Sequence, residues 1–394
     1  MLMEKLTRRT VLLPDPSGSD TLISNISLCK MQAGDQYHVA EDKALVLLSS
    51  SSKASTQDNN SSTSTIIVDP RGDLSLAIGL SDTGSGPAQD FQVCSRALAR
   101  MSPVLERMLY GSFAESNTPG QSNWTIDLPE MRPASFAILA NICHGHFDQV
   151  PKTLWTDELF DLIILTHYYD CTTVLAPWAE RWLANVREPT AFNELDMYRY
   201  LFICQELGDK QRFEITARRL VLESREVMRR EELFEQLGGH MSHIVDRIDT
   251  IREGAIEAML GLFRELSDIL VVVDERPRWC KYASYMGPHR CESMILGSVV
   301  FCLTRAGLWP LPDAREVEDT VMGLYRKMTG VVIHDIGRVE KGGNDHAKCN
   351  PRDFLLERLK RILVDMGDPL VDEERKYVVR QRQKLKIGIG AVDC

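Results

Sequence analysis

The chain has 394 residues, 44% hydrophobic and 26% charged, with 56 acidic against 46 basic side chains and a net charge of −10. That balance excludes wholesale disorder, collagen-like chains and disulfide scaffolds, and it disfavours non-specific binding to nucleic acid or anionic membranes. The length predicts two or three domains.

Residues 1–65 read as a poorly ordered N-terminal arm. Ser49 to Ser64 is a run of Ser, Thr, Asn and Gln with almost nothing apolar to bury. Met1 to Gly18 has no continuous apolar core, so no secretory signal is expected. No stretch reaches the ~18–20 apolar residues of a membrane helix. The longest candidate, Met294 to Leu303, is interrupted by Gly297 and Ser298. The ten cysteines are scattered and read as reduced thiols or metal ligands, not as a disulfide framework. The expected setting is cytoplasmic or nuclear, without a membrane.

Order is expected from Ile66. Large apolar residues alternate in Asp73-Leu74-Ser75-Leu76-Ala77-Ile78, which predicts a strand over 73–78 with one buried face. Ser81 to Gln89 is a turn-rich loop, and 91–94 reads as the return strand of a hairpin. The loop contains Asp82-Thr83-Gly84-Ser85, the active-site tetrapeptide of aspartic proteases. That chemistry needs two carboxylates sharing a proton, and no second copy occurs, so the tetrapeptide reads as a turn.

Ala97, Leu98, Met101, Leu105 and Met108 recur at helical steps, interrupted by Ser102-Pro103, a helix cap followed by Pro at the first position. Residues 124–128 alternate again as a strand. Helices over 133–145 and 157–169 carry apolar stripes that would cover the sheet, and Pro177 opens another helix with Trp178 and Trp182. Residues 66–187 thus form one expected α+β unit. From 190 to 275 the pattern is wholly helical, with Gly208 ending one segment and Ile244 to Leu262 marking a longer helix. A Cys-, Gly- and Pro-richer module covers 277–368, its final helix starting at Asn350-Pro351. The charged tail, 369–394, is expected to fray. Its basic cluster of Arg375, Lys376, Arg380, Arg382, Lys384 and Lys386 reads as a solvated helix end, or else as an import signal or nucleic-acid contact. Nucleic acid is not the expected partner.

Two constellations carry chemistry. Cys280 and Cys291 flank Gly287-Pro288, and His346-Ala347-Lys348-Cys349 lies just before the helix at Asn350. A His-x-x-Cys pair at a helix start can place both ligands on one metal. Four N/S ligands suit one tetrahedral, structural Zn²⁺. His289 and Cys302 are possible substitutes, and four separately buried residues are the plain alternative. The second constellation is Phe113-Ala114-Glu115, after the helical stretch ending at Tyr110. Phosphate-loop, Gly-x-Ser-x-Gly and His-Glu-x-x-His patterns are absent from the sequence, and lone histidines such as His167 read as packed or surface residues. A non-enzymatic protein is expected.

The stretch from Gly72 to Val186 resembles the BTB/POZ interaction domain in its divergent fungal form. Gly72-Asp73-Leu74-Ser75-Leu76, Phe91-Gln92-Val93-Cys94-Ser95-Arg96-Ala97-Leu98 and Ser102-Pro103-Val104 carry the resemblance. So do Trp124-Thr125-Ile126-Asp127-Leu128-Pro129, Asn141-Ile142-Cys143-His144-Gly145, His167-Tyr168-Tyr169-Asp170-Cys171 and Pro177-Trp178-Ala179-Glu180-Arg181-Trp182-Leu183. Val93-Cys94 stands where animal members often carry Ala-His. The resemblance implies a β-β-α-α-β-α-α layout followed by a mainly helical C-terminal region. It also implies self-association as a homodimer or recruitment of a protein partner. In members that recruit a cullin ubiquitin-ligase scaffold, a hydrophobic-x-Glu motif occupies the place of Phe113 and Glu115. The family's fungal members also often show a similar C-terminal Cys…Cys…Leu-Gly-Ser…His-x-x-Cys order, here with Leu296-Gly297-Ser298. A structural or transcription-associated scaffold without ligase contact is the alternative.

Overall fold

The computed structural model describes residues 65–79, 88–117, 124–225, 241–271, 278–280, 289–337 and 345–388. Nearly all of the 1–65 arm and the Asp82–Ser85 tetrapeptide lie outside them. Contacts divide the chain at Ser62, and the described residues all belong to the unit Thr63–Cys394. It is an α+β structure with a helical C-terminal region.

Four short strands form one mixed sheet: β1 (Ile66–Ile67), β2 (Leu74–Ile78), β3 (Gln89–Val93) and β4 (Thr125–Leu128), in the order β1-β3-β2-β4. The expected hairpin is present, with β2 antiparallel to β3 and Leu76 opposite Phe91. β4 lies parallel to β2, Ile126 opposite Leu76. β1, too short to show alternation, runs parallel to β3. The period of two puts Leu74, Leu76, Ile78, Phe91, Val93 and Ile126 in the core.

Helices α1 (Ser95–Met101) and α2 (Pro103–Tyr110) are separated at Ser102. Its Oγ accepts from the Leu105 amide at 3.0 Å, the expected N-cap, and also donates to the Tyr169 carbonyl at 2.6 Å. Helices α3 (Pro133–His144) and α4 (Thr156–Tyr168) follow β4. Phe136 of α3 meets Phe91 of the sheet edge-on, with centroids 5.1 Å apart. His144 staples the end of α3: Nδ1 lies 2.7 Å from the Ala140 carbonyl and Nε2 accepts from the Cys94 amide at 2.9 Å.

Next come α5 (Ala176–Asn185), α6 (Glu194–Glu206), α7 (Lys210–Glu223) and the 29-residue α8 (Ser242–Leu270). One apolar cluster runs from Val68 through Ile248, and a second from Ala255 through Leu359. The division therefore falls inside α8, whose first half serves one core and whose second half serves the other. The second core gathers α9 (Arg290–Arg305), α10 (Val321–Thr329) and α11 (Arg352–Val364).

The tail departs from expectation. Residues Asp372–Lys384 form a twelfth described helix, α12, so the helix starting near Asn350 is not the last. Nor does this part fray: Val378, Gln381 and Glu374 are buried, and Val378, Leu385 and Ile387 join the first core. Its charges have partners. Arg375 Nε donates to Glu214 at 2.9 Å, and Glu374 pairs with Arg247 and with His243. Lys376, Arg380, Arg382, Lys384 and Lys386 are exposed on it. No described helix is long and apolar enough to cross a membrane.

Candidate metal centre

The sequence places four metal-binding side chains in three separate segments, and the fold brings them together. Cys280 lies in an irregular stretch. Cys291 is the second residue of α9, and His346 and Cys349 are the ends of a single 3₁₀ turn, His346–Cys349. A 3₁₀ helix has three residues per turn, so positions i and i+3 stack on one side. That is why His-x-x-Cys aims both ligands at one point here.

The turn is braced at each end. Asp345 accepts from the Ala347 amide at 3.1 Å, and the His346 amide donates to the Gly337 carbonyl at 2.9 Å. Asn350 stands one residue before Pro351, the N-cap of α11, and accepts from the Arg352 amide at 3.0 Å. Its side-chain amide donates to the Ile333 carbonyl at 2.9 Å and to Asp335 at 3.0 Å.

One potential ligand atom from each of Cys280, Cys291, His346 and Cys349 lies within 4.8 Å of every other, and all four residues are buried. Cys280 Sγ is 3.9 Å from Cys349 Sγ and 3.5 Å from His346 Nδ1. A tetrahedral ion with Zn–S bonds near 2.3 Å requires S–S separations of about 3.8 Å. The three thiols also crowd one another. Burial, then the neighbouring Cys280 and Cys349 thiols, push the Cys291 thiol well above its ordinary range. A bound dication reverses that preference, because it stabilises thiolates. The cluster is therefore one that could hold a metal ion.

The possible substitutes stand elsewhere. His289 Nδ1 faces Glu292 at 3.4 Å, and Cys302 Sγ contacts the Val332 carbonyl at 3.4 Å.

Sequence reading missed the group that supports the cluster. Glu292, 1% exposed, accepts at one oxygen from the amides of Trp279 and Cys280, the latter at 3.0 Å. The Trp279 ring donates to the Cys349 carbonyl at 2.6 Å. The only sequence signal was an acidic residue beside a cysteine at the start of an apolar helix.

Phe113 and Glu115 lie far along the chain from this cluster, in the loop after α2, and both are exposed, Phe113 by 60%. The loop is braced from within. Ser116 Oγ donates to the Met108 carbonyl at 2.9 Å and accepts from the Phe113 amide at 3.2 Å. The Trp124 ring donates to the Glu115 carbonyl at 2.9 Å.

No family model matches the chain. No curated protein and no solved structure matches it either.

Proposed function

We propose that this chain is a non-enzymatic protein–protein interaction module. In this reading a BTB/POZ-like unit recruits a protein partner, and a zinc ion closes the helical half behind it. The order β2-β3-α1-α2-β4-α3-α4 supports the BTB/POZ part, being the order that the resemblance implies. The observation that carries partner recruitment is the braced loop after α2. It holds the Phe113 ring out in water beside an exposed Glu115. Apolar anchors of this kind dominate binding energy when a partner desolvates them. A cullin scaffold is the partner we assign, with Phe113 filling a groove and Glu115 setting register.

The metal we assign is Zn²⁺, whose preference for four N/S ligands matches the Cys₃His set. Four buried protein ligands leave no coordination position for substrate, so the ion's role is structural. Calorimetry of the full chain with a cullin N-terminal domain tests the recruitment reading. Saturable binding is expected. If the chain binds no cullin, the scaffold reading without ligase contact takes its place.

A further inference from the structure

Among the described residues, Cys280 is the member of the cluster with the least local support. Residues 278–280 carry no helix or strand, whereas Cys291 sits on α9 and His346 and Cys349 share a capped turn. What fixes the Cys280 backbone among the described residues is a side chain. Glu292 presents one carboxylate oxygen to two consecutive amides, those of Trp279 and Cys280. Its other oxygen faces His289 Nδ1 at 3.4 Å. Glu292 follows Cys291 directly, so this single carboxylate joins the segment bearing one ligand to the helix bearing the next.

Placing that carboxylate there has a cost. It is buried, and it lies against a cluster that would carry thiolate charge when metal is bound. The two amides offset the desolvation, since hydrogen bonds to a charged acceptor are the strong ones. An apolar side chain in this position would avoid the cost altogether but would leave the two amides without that acceptor. We propose that Glu292 is the positioning residue of the metal centre. Through the Trp279 and Cys280 amides it sets the Cys280 side chain in place before the ion arrives. Ordering a ligand in advance removes an entropic penalty from binding. Outer groups that orient metal ligands typically contribute 10- to 100-fold in affinity, on the order of the effect expected here. This inference rests on the zinc reading above.

The test uses the full chain, stripped with a chelator and reloaded with zinc or cobalt(II). Affinity is read by competition with a chromophoric chelator, ligand geometry by the visible spectrum of the cobalt form, and stability by the thermal midpoint with and without zinc. Glu292→Ala is expected to weaken zinc binding by roughly 10- to 100-fold. It should also alter the cobalt spectrum and lower the zinc-loaded midpoint more than the stripped one. Glu292→Gln keeps an oxygen for the two amides and gains an NH₂ that can donate to His289 Nδ1, so it is expected to restore affinity and spectrum.

A merely structural Glu292 would lower both midpoints equally and leave affinity within about twofold, well short of the outer-group effect. That result overturns the proposal. If Glu292→Ala does not fold, Glu292→Asp decides. It keeps the charge but shortens the reach by one methylene, and unchanged affinity in that variant overturns the proposal as well. Wild-type protein that takes up neither zinc nor cobalt overturns the zinc reading itself. Metal uptake with no dependence on residue 292 overturns only this inference.

Discussion

The Tyr377 hydroxyl lies 2.8 and 3.1 Å from the two oxygens of Glu206 and donates to that carboxylate from 171 residues away. Glu206 is fully buried at the end of α6. Gln381 also donates to it, at 2.7 Å, and His167 of α4 stands at 3.1 Å. One carboxylate therefore ties the α+β unit, the helical extension and the C-terminal helix. Burial, and then Glu206, push the Tyr377 phenol above its ordinary range.

Removing the phenol tests this tie. Tyr377→Phe withdraws one donor from a buried carboxylate, which typically costs about 1–3 kcal/mol. Urea unfolding of the variant should show that loss, with faster hydrogen exchange in residues 372–384. Unchanged stability and exchange would mean that α12 is held by its apolar contacts alone.

His167 gives the tie a pH dependence. Its hydrogen bond to Glu206 raises its value above the ordinary 6.5, against opposing burial. A raised folded value means that the stabilisation is fully present below about 6.5 and is lost as pH rises through the folded value. The stability difference between wild type and His167→Gln should therefore be largest in mild acid and shrink in mild alkali. A difference that stays constant across that range would remove His167 from the account.

Gly208 is where α12 comes closest to the α6–α7 turn. Its φ is +77°, and a Cβ there would meet the Arg382 backbone nitrogen and Cα at 2.5 Å. Gly208→Ala combines left-handed strain of about 1–2 kcal/mol with that clash. The expected outcome is a protein with an intact sheet and a protease-sensitive C-terminal helix. Resistance equal to wild type would contradict the packing.

Metal removal should act on the second core. The full chain is expected to carry one zinc, and a chelator should lower its thermal midpoint. Cys349→Ser should lose the metal, because a hydroxyl is a poor zinc ligand, and loosen the start of α11. A loss of about 2 kcal/mol would move the midpoint by roughly 4–8 °C in domains of 150–250 residues. A midpoint unmoved by chelation, in a chain that contains no zinc, would make these four residues ordinary core.

At the braced loop, the proposed cullin contact is tested directly: if the chain binds a cullin, Phe113→Ala should weaken that binding more than Glu115→Ala does. Both side chains are exposed, so stability should stay within about 0.5 kcal/mol of wild type. Affinities equal to wild type in both variants would exclude this loop as the docking site.

Much of the α+β unit was legible in sequence, because its cues are local. Alternation in Leu74-Ser75-Leu76 marks a strand wherever it occurs, and Ser102-Pro103 carries its own cap. The four residues of the candidate metal cluster were legible for a different reason. Only a few residue types bind zinc, and His346 and Cys349 stand one 3₁₀ turn apart. The tail misled because its helix has few apolar residues. Val378 is fully buried, but the polar Tyr377 and Gln381 beside it gave no sign of a burial site.

By itself, then, the sequence determined which segments alternate, which are helical ahead of the tail, where Ser102 caps, and which four side chains have metal-binding chemistry. These follow from steric and hydrogen-bonding rules that act over a few residues. Only the tertiary structure decided that Ile66–Ile67 pairs with β3, that the two cores divide within α8, that Glu292 holds Cys280, and that Glu206 receives Tyr377, Gln381 and His167. A buried carboxylate is tolerated only where donors converge on it. Those donors come from chain positions as far as 175 residues away, a distance over which no local periodicity extends.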